Sequence, residues 1–422
     1  MRVNKITVSL FAAGLIASPL ANATNGYFAH GYGMKAKGMA GAGIALPQDS
    51  IAAATNPAGM VLVGDRTDVG LDLFKPTRSA NISGNMCGPG CSMDGHYDGN
   101  GKSLFFIPEI GYNKMLGSDM SLGVSVYGNG GMNTQYDVNP FASIGSSGPA
   151  GVNLEQLFIA PTWAKKLNSG HSIGVSLNLV YQTFSATGLQ AFAGWSSNPA
   201  ALTNTGKDSS TGVGLRLGWS GELTPSLTMG ATYQPKTKMS KFSKYAGLFA
   251  EQGGFDIPAT YGLGVAFKAM PATVIAVDYQ AIQYSGVKSI ANKLEACASP
   301  TCALGADNGL GFGWKDISVL KLGVSHALSD SLTLRGGVSH STQPIPENQT
   351  FFNILAPGVV QDHLTLGATW SLSRENELTV GYMHALKKKV SGAGSIAPTG
   401  MPGEANIKMY EDSIGIAYSW KM

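Results

Sequence analysis

The sequence predicts an all-β fold: a transmembrane antiparallel β-barrel of about fourteen strands, with an N-terminal hatch inside its lumen. Three observations predict it. From Asp65 onward the chain repeats segments of alternating hydrophobicity, the period of a strand with one apolar face. The connections between them are alternately short and long, as in outer-membrane barrels. The chain also opens like an exported protein, yet beyond that start it has no run of about 18 uncharged apolar residues that would make a membrane helix.

The opening segment comes first. Arg2 and Lys5 form a basic head, residues 7–20 are mostly apolar, and Ala21-Asn22-Ala23 places small residues where a signal peptidase reads. Residues 1–23 are therefore expected to be a signal peptide, with Thr24 the first mature residue. A retained anchor helix is the alternative. The composition, 44% hydrophobic and 13% charged with mean hydropathy +0.05, fits either a soluble periplasmic protein or a barrel, because a barrel's alternation averages to ordinary hydropathy. The net charge is only +3, so no basic field for nucleic acid is present. Lys387-Lys388-Lys389 reads as a barrel rim.

Four cysteines form two close pairs, Cys87/Cys91 and Cys297/Cys302. Three pairings are open to four cysteines. Export favours oxidation, so two local disulfides are expected. A zinc site of four thiolates is the rival, but no neighbouring segment looks like a zinc ribbon.

The strands follow from alternation. Val213, Leu215, Leu217 and Trp219 oppose Gly214, Arg216, Gly218 and Ser220. Leu332, Leu334 and Val338 oppose Thr333, Arg335, Gly337 and Ser339, and Ile414, Ile416, Tyr418 and Trp420 oppose Ser413, Gly415, Ala417 and Ser419. An apolar face against a small, polar one suits lipid outside and a lumen inside. Short turns are expected at 116–119, 168–170, 224–226, 269–271, 329–331 and 374–376, where turn formers gather. Long loops are expected at 81–101, 136–153, 189–207, 241–254, 287–312, 343–361 and 391–407. Aromatics near strand ends, such as Tyr112, Trp163, Tyr181, Trp370 and Trp420, suit interfacial girdles. The barrel thus spans residues 65–422. Residues 24–64 lack the strand pattern and are too apolar for a disordered tail, so they are expected to plug the lumen.

At this point the chain resembles the FadL family of outer-membrane transporters, which includes long-chain fatty acid channels and TodX-like aromatic hydrocarbon channels. The resemblance is carried by Asn25-Gly26-Tyr27-Phe28, Gly31-Tyr32-Gly33, residues 35–39, Gly41-Ala42-Gly43 and Asn56-Pro57-Ala58-Gly59-Met60, in order and ahead of a barrel. It implies an outer-membrane location in a Gram-negative cell and diffusive uptake of a hydrophobic small molecule. Long-chain fatty acids are the expected substrate; an aromatic hydrocarbon is the alternative. It also implies an external apolar groove built by two long loops. Here those would supply Leu189, Phe192 and Trp195 from one loop, and Phe242, Tyr245, Leu248 and Phe249 from a short amphipathic helix over 241–252, whose apolar face otherwise simply packs on the barrel rim. The partners expected are the substrate and outer-membrane lipid and lipopolysaccharide. A monomer is expected, with no cofactor and no metal.

Several motifs have plainer readings. Gly38-x-x-Gly41-x-Gly43 lacks the flanking strand and helix of a phosphate loop, so it reads as hatch packing. Arg216, Lys321, Arg335 and Asp278 fall on inward faces. They form a lumenal salt-bridge network, or leave a cation for a carboxylate head group. His340-Ser341 and His171-Ser172 point to opposite faces of regular strands and no G-x-S-x-G elbow exists, so catalysis is not expected. An open porin has no use for a plug. In the third strand, Gly128-Asn129-Gly130-Gly131 weakens regular pairing. A simple bend easing barrel curvature is one reading; the resemblance implies instead a kink that opens the wall sideways, with Asn56, Pro57 and Ala58 lying against it.

Overall fold

The computed structural model describes residues 24–167, 170–294 and 303–422. The expected signal peptide and the Cys297/Cys302 pair lie outside these residues. The strands are β1 (Arg66–Ser83), β2 (Gly95–Asp98), β3 (Phe105–Met115), β4 (Met120–Tyr136), β5 (Ala150–Lys166), β6 (His171–Thr187), β7 (Asp208–Thr224), β8 (Leu227–Gln234), β9 (Ala259–Met270), β10 (Thr273–Gln283), β11 (Ile317–Ser329), β12 (Leu332–Ser341), β13 (Asp362–Ser371), β14 (Asn376–Val390) and β15 (Glu404–Lys421). All pair antiparallel in chain order. The sheet closes where β15 meets β1, in register from Arg66↔Lys421 to Ser83↔Glu404. Without β2 this is a closed fourteen-stranded barrel, and closure leaves no full-length edge exposed to lipid.

The alternation explains the wall. Leu215 and Leu217 are exposed on the outer surface while Arg216 between them is buried. The same holds for Ile414 and Ile416 against Ser413. In a membrane each outward leucine or isoleucine is covered by acyl chains, a gain of roughly 1.5–3 kcal/mol per side chain. Leu366, 65% exposed in the bare protein, would be a clear misfit in water.

Small inward residues have a second cause. A β-carbon on Gly218 would fall 2.0 Å from Asn56 Oδ1, on Gly174 2.4 Å from the Pro57 carbonyl carbon, on Gly230 2.5 Å from Ile44 O, and on Gly337 2.5 Å from the Met39 carbonyl carbon. Glycines on successive strands therefore make the room that the N-terminal segment fills.

That segment is almost wholly buried from Thr24 to Val61. It folds as short turns, including a helical turn at Met34–Lys37 and a 3-10 helix at Pro57–Leu62. Charge docks it to the wall. Lys35 Nζ lies 2.5 Å from Glu377, and Lys37 Nζ lies 2.8 Å from Asp72 and 3.8 Å from Glu109. Burial opposes the charge on Lys37, but the Asp72 and Glu109 carboxylates raise its pKa above the usual value.

Two details depart from expectation. The 81–101 loop contains β2, which pairs with Ser79–Ile82 on the edge of β1 that β3 leaves free beyond Phe74↔Phe105. The amphipathic helix over 241–252 does not form. Residues Ser243–Tyr245 make a 3-10 turn, and Ala250–Gly253 a separate turn with Glu251 and Gln252 at positive φ. The chain bends there because the 189–207 loop crowds it, with Gly247 against Asn198, and because Gly253 folds back onto Phe242 of its own loop.

Candidate functional site

Above the N-terminal segment, the long loops converge on a narrow apolar cleft that opens to solvent. The loops contribute Leu189, Phe192, Leu202, Leu248, Phe249, Ser289, Leu304, Leu310, Gly311, Phe312, Phe352 and Leu355. The barrel wall contributes Val152 and Phe184. Among the described residues, Ser289 is the one polar side chain in this lining. Of the seven apolar residues expected at a groove, Leu189, Phe192, Leu248 and Phe249 line the cleft. Phe242 and Tyr245 sit behind it, fully buried, with ring centres 5.8 and 4.8 Å from Phe184. Trp195 backs Phe192 at 5.7 Å and Phe352 at 6.4 Å. The expected exposed groove is thus a cleft with a buried aromatic wall. Four loops and two strands build it, where two loops were expected. Sequence reading missed the contributions of 287–312 and 343–361, whose signal was the aromatic content of Phe312, Phe351 and Phe352.

Below the cleft the barrel wall is interrupted. β3 pairs with β4 only from Met115↔Ser121 to Ile110↔Val126. Beyond Val126 the two strands part, although β3 continues on β1 to Phe105 and β4 continues on β5 to Ala150. The β4–β5 register slips between Gly128 and Gly130, a bulge that leaves Asn129 without a cross-strand partner. The free edge of β4 is taken up by other backbone. Gly131 N–H donates to Tyr27 O at 2.9 Å, and Ala29 N–H donates to Asn129 O at 3.0 Å. Higher up, Gln135 exchanges backbone bonds with Gly99 and Gly101. Arg78, buried on β1, reaches across to donate to the carbonyls of Asn133 and Lys102. Asn129 itself accepts from the Tyr32 hydroxyl and donates to Gln156.

Asn56, Pro57 and Ala58 lie elsewhere. Asn56 caps the Pro57–Leu62 helix by accepting from Ala58 N–H, and donates to Ile44 O and Trp219 O. The triplet packs on Gly174 and Gly218 of β6 and β7. Its helix reaches β4 through Met60 at Gly123, below the bulge. The segment lying against Gly128–Gly131 is Tyr27–Ala29, whose turn presents the Tyr27 carbonyl and the Ala29 N–H to the unpaired edge.

The inward cations are also placed. Arg216 donates to Gln234 Oε1 at 2.8 Å and to Thr55 O at 3.3 Å. Lys321 donates to His30 O at 2.9 Å, and Arg335 to Gln48 Oε1 at 2.9 Å and Thr369 at 2.7 Å. Asp278 accepts from the backbone N–H groups of Gly43 and Ile44. Asp278 and Lys321 are register neighbours, yet each bonds the N-terminal segment, so these residues form no ion-pair network among themselves. In the segment, burial and the neighbouring Asp68 carboxylate raise the pKa of Asp49 above the usual carboxylate range.

Two further expectations meet the structure here. Cys87 and Cys91 are joined as a disulfide, so these sulfurs are not thiolates for a zinc ion. His340 is exposed while Ser341 is buried, on opposite faces. Ser339 Oγ does lie 3.1 Å from His363 Nδ1, but both are buried, and the His363 ring stacks on His30.

A family model described as outer membrane protein transport protein (OMPP1/FadL/TodX) matches residues 14–410. The chain belongs to this family. It is an outer-membrane β-barrel of the FadL/TodX type, a family of channels for hydrophobic compounds. Among solved structures it resembles the Pseudomonas putida toluene transporter TodX at 18% identity, covering 93% of this chain and 99% of that one, with a TM-score of 0.69. It resembles a Pseudomonas aeruginosa FadL homologue at 16% identity over 96% and 100% of the two chains, with a TM-score of 0.70. The Ralstonia pickettii toluene transporter TbuX gives 18% identity over 93% and 99%, with a TM-score of 0.62. No curated protein matches the chain.

Proposed function

We propose that this FadL-family chain takes up long-chain fatty acids or similar apolar compounds by diffusion, from the cleft to a sideways exit between β3 and β4. The apolar cleft carries this reading. A hydrophobic molecule that leaves water for it gains roughly 0.8 kcal/mol per buried CH₂. The parted strands below support the exit, since a greasy molecule released into lipid keeps its surface out of water. Residues 24–64 act as the plug, and the backbone of Tyr27–Ala29 as the latch on the unpaired edge of β4.

A neutral aromatic hydrocarbon is the second reading. The cleft's lining favours it, because among the described residues a carboxylate there would meet only Ser289 as a polar side chain, and Arg216, Lys321 and Arg335 already bond protein atoms. Mass spectrometry of apolar compounds carried through purification, with uptake of labelled oleate and toluene by expressing cells, separates the readings. Uptake of neither compound above that of cells lacking the protein refutes both.

A further inference from the structure

On the outer surface of β14, β15 and β1, the lipid-facing rows change character together. On β1 the row Val69, Leu71 and Leu73 gives way to Lys75, Thr77 and Ser79. On β15 the row Ile416 and Ile414 gives way to Asp412, Tyr410 and Lys408. The register sets these changes at one level, with Lys75 opposite Asp412 and Asp412 opposite His384. This level lies towards the long loops, which face outside the cell in such barrels. Tyr382 and Tyr410 mark the boundary, as interfacial aromatics do.

Lys75 sits at that boundary, and just above it lie Lys387, Lys389 and Lys408. Lys389 is directly opposite Lys408, and a register slip between Ala385 and Lys388 turns Lys387 out beside them. Like charges directly opposite on neighbouring strands repel. Among the described residues, none of these four lysines has an acidic partner within 4.0 Å. The nearest acid, Asp412, is engaged at 2.8 Å by both the Tyr382 hydroxyl and His384 Nδ1. Asp98, opposite Ser79 on β2, accepts from the Asn100 backbone N–H. Lys75 still faces Asp412 across the β1–β15 pair, but Lys387, Lys389 and Lys408 face no acid, and that excess of cations at head-group depth suits an anion from outside the protein.

We propose that Lys75, Lys387, Lys389 and Lys408 form a binding site for the phosphate groups of lipid A, with its acyl chains lying on the apolar rows of β1, β14 and β15 below. The depth decides the source. These cations are held at the edge of the outer leaflet, where the anionic lipid of a Gram-negative outer membrane is phosphorylated lipopolysaccharide, and ammonium groups there attract anionic head groups strongly.

The test is native mass spectrometry of the detergent-purified full barrel with three lipids: bisphosphorylated lipid A, the same lipid with its phosphates removed, and phosphatidylglycerol. Wild type should retain bisphosphorylated lipid A about ten-fold better than it retains the dephosphorylated lipid, and better than phosphatidylglycerol. The variant K75Q/K387Q/K389Q/K408Q, its folding checked by heat-modifiable gel mobility, should lose that preference, and the fourfold Lys→Arg variant should keep it. Equal retention of lipid A with and without phosphates, equal retention of phosphatidylglycerol, or undiminished preference in the folded glutamine variant overturns the proposal. If the glutamine variant does not fold, the three-lipid comparison on wild type still decides.

Discussion

Replacing Gly130 by Ala probes the contact that closes the parted wall. A β-carbon at position 130 would fall 2.0 Å from Tyr27 O, 3.0 Å from the Tyr27 carbonyl carbon and 3.1 Å from Phe28 Cα. All three are backbone atoms, which cannot swing aside as a side-chain tip does, so the start of the N-terminal segment must move by about an ångström. The hydrogen bonds Gly131 N–H to Tyr27 O and Ala29 N–H to Asn129 O then stretch or break. Each is worth roughly 0.5–1.5 kcal/mol net. Together they loosen the latch by about 1–3 kcal/mol, which raises the population of the undocked segment on the order of 5- to 150-fold. Hydrogen exchange on the folded barrel reads this directly. Peptides covering Tyr27–Ala29 should exchange faster by that range, while peptides from β7 and β8, which meet the segment at Ile44 and Thr55–Ala58 instead, stay unchanged. If Gly130→Ala leaves exchange at Tyr27–Ala29 as in wild type, the latch does not depend on this contact and the reasoning is wrong.

Four other outcomes are expected. Lys37→Met leaves the buried Asp72 and Glu109 carboxylates without their cation. Breaking such a buried pair costs about 3–5 kcal/mol, so the N-terminal segment should detach and planar-bilayer conductance rise; wild-type conductance would show that this ion pair does not hold it. Deleting residues 24–64 should leave a folded barrel that leaks small polar solutes, and unchanged conductance would mean that the segment does not plug the lumen. Leu248→Asp, placed on the half-buried rim of the cleft to spare the fully buried Phe242, should lower uptake of apolar substrate at low concentration because a charge there disfavours apolar partitioning; normal uptake would remove the cleft from the pathway. Non-reducing peptide mapping should show Cys87 joined to Cys91, and Cys297 joined to Cys302; a cross-loop pair would contradict the local pairing.

The strands were legible because lipid on one side and small residues on the other enforce a strict period of two. The short turns at 116–119 and 330–331 were marked by turn formers. The direction of Arg216, Lys321 and Arg335 followed from the same alternation, but their partners did not. They bond Thr55, His30 and Gln48, and no local pattern shows which part of an irregular segment meets which strand. The glycines at 128, 130 and 131 signalled the interruption of β4. That Tyr27 and Phe28 cover it, while Asn56–Ala58 packs on Gly174 and Gly218, depends on tertiary fit. The aromatic spacing of Phe242, Tyr245 and Phe249 mimicked a helix face, yet these rings are held by Phe184 and by loops distant in sequence. Tertiary packing overrode the local period there.

The central claim is that a hydrophobic molecule leaves the lumen sideways, between β3 and β4. A photoreactive, apolar substrate analogue, loaded onto the barrel in outer-membrane vesicles and activated during uptake, tests it most directly. Peptide mapping should find adducts on the cleft residues Leu248, Phe249 and Phe352. It should find them again on the two parted edges, Phe105–Glu109 of β3 and Asn129–Asn133 of β4. Adducts that continue down the lumen to the Pro57–Leu62 helix, with none on those edges, would contradict the account.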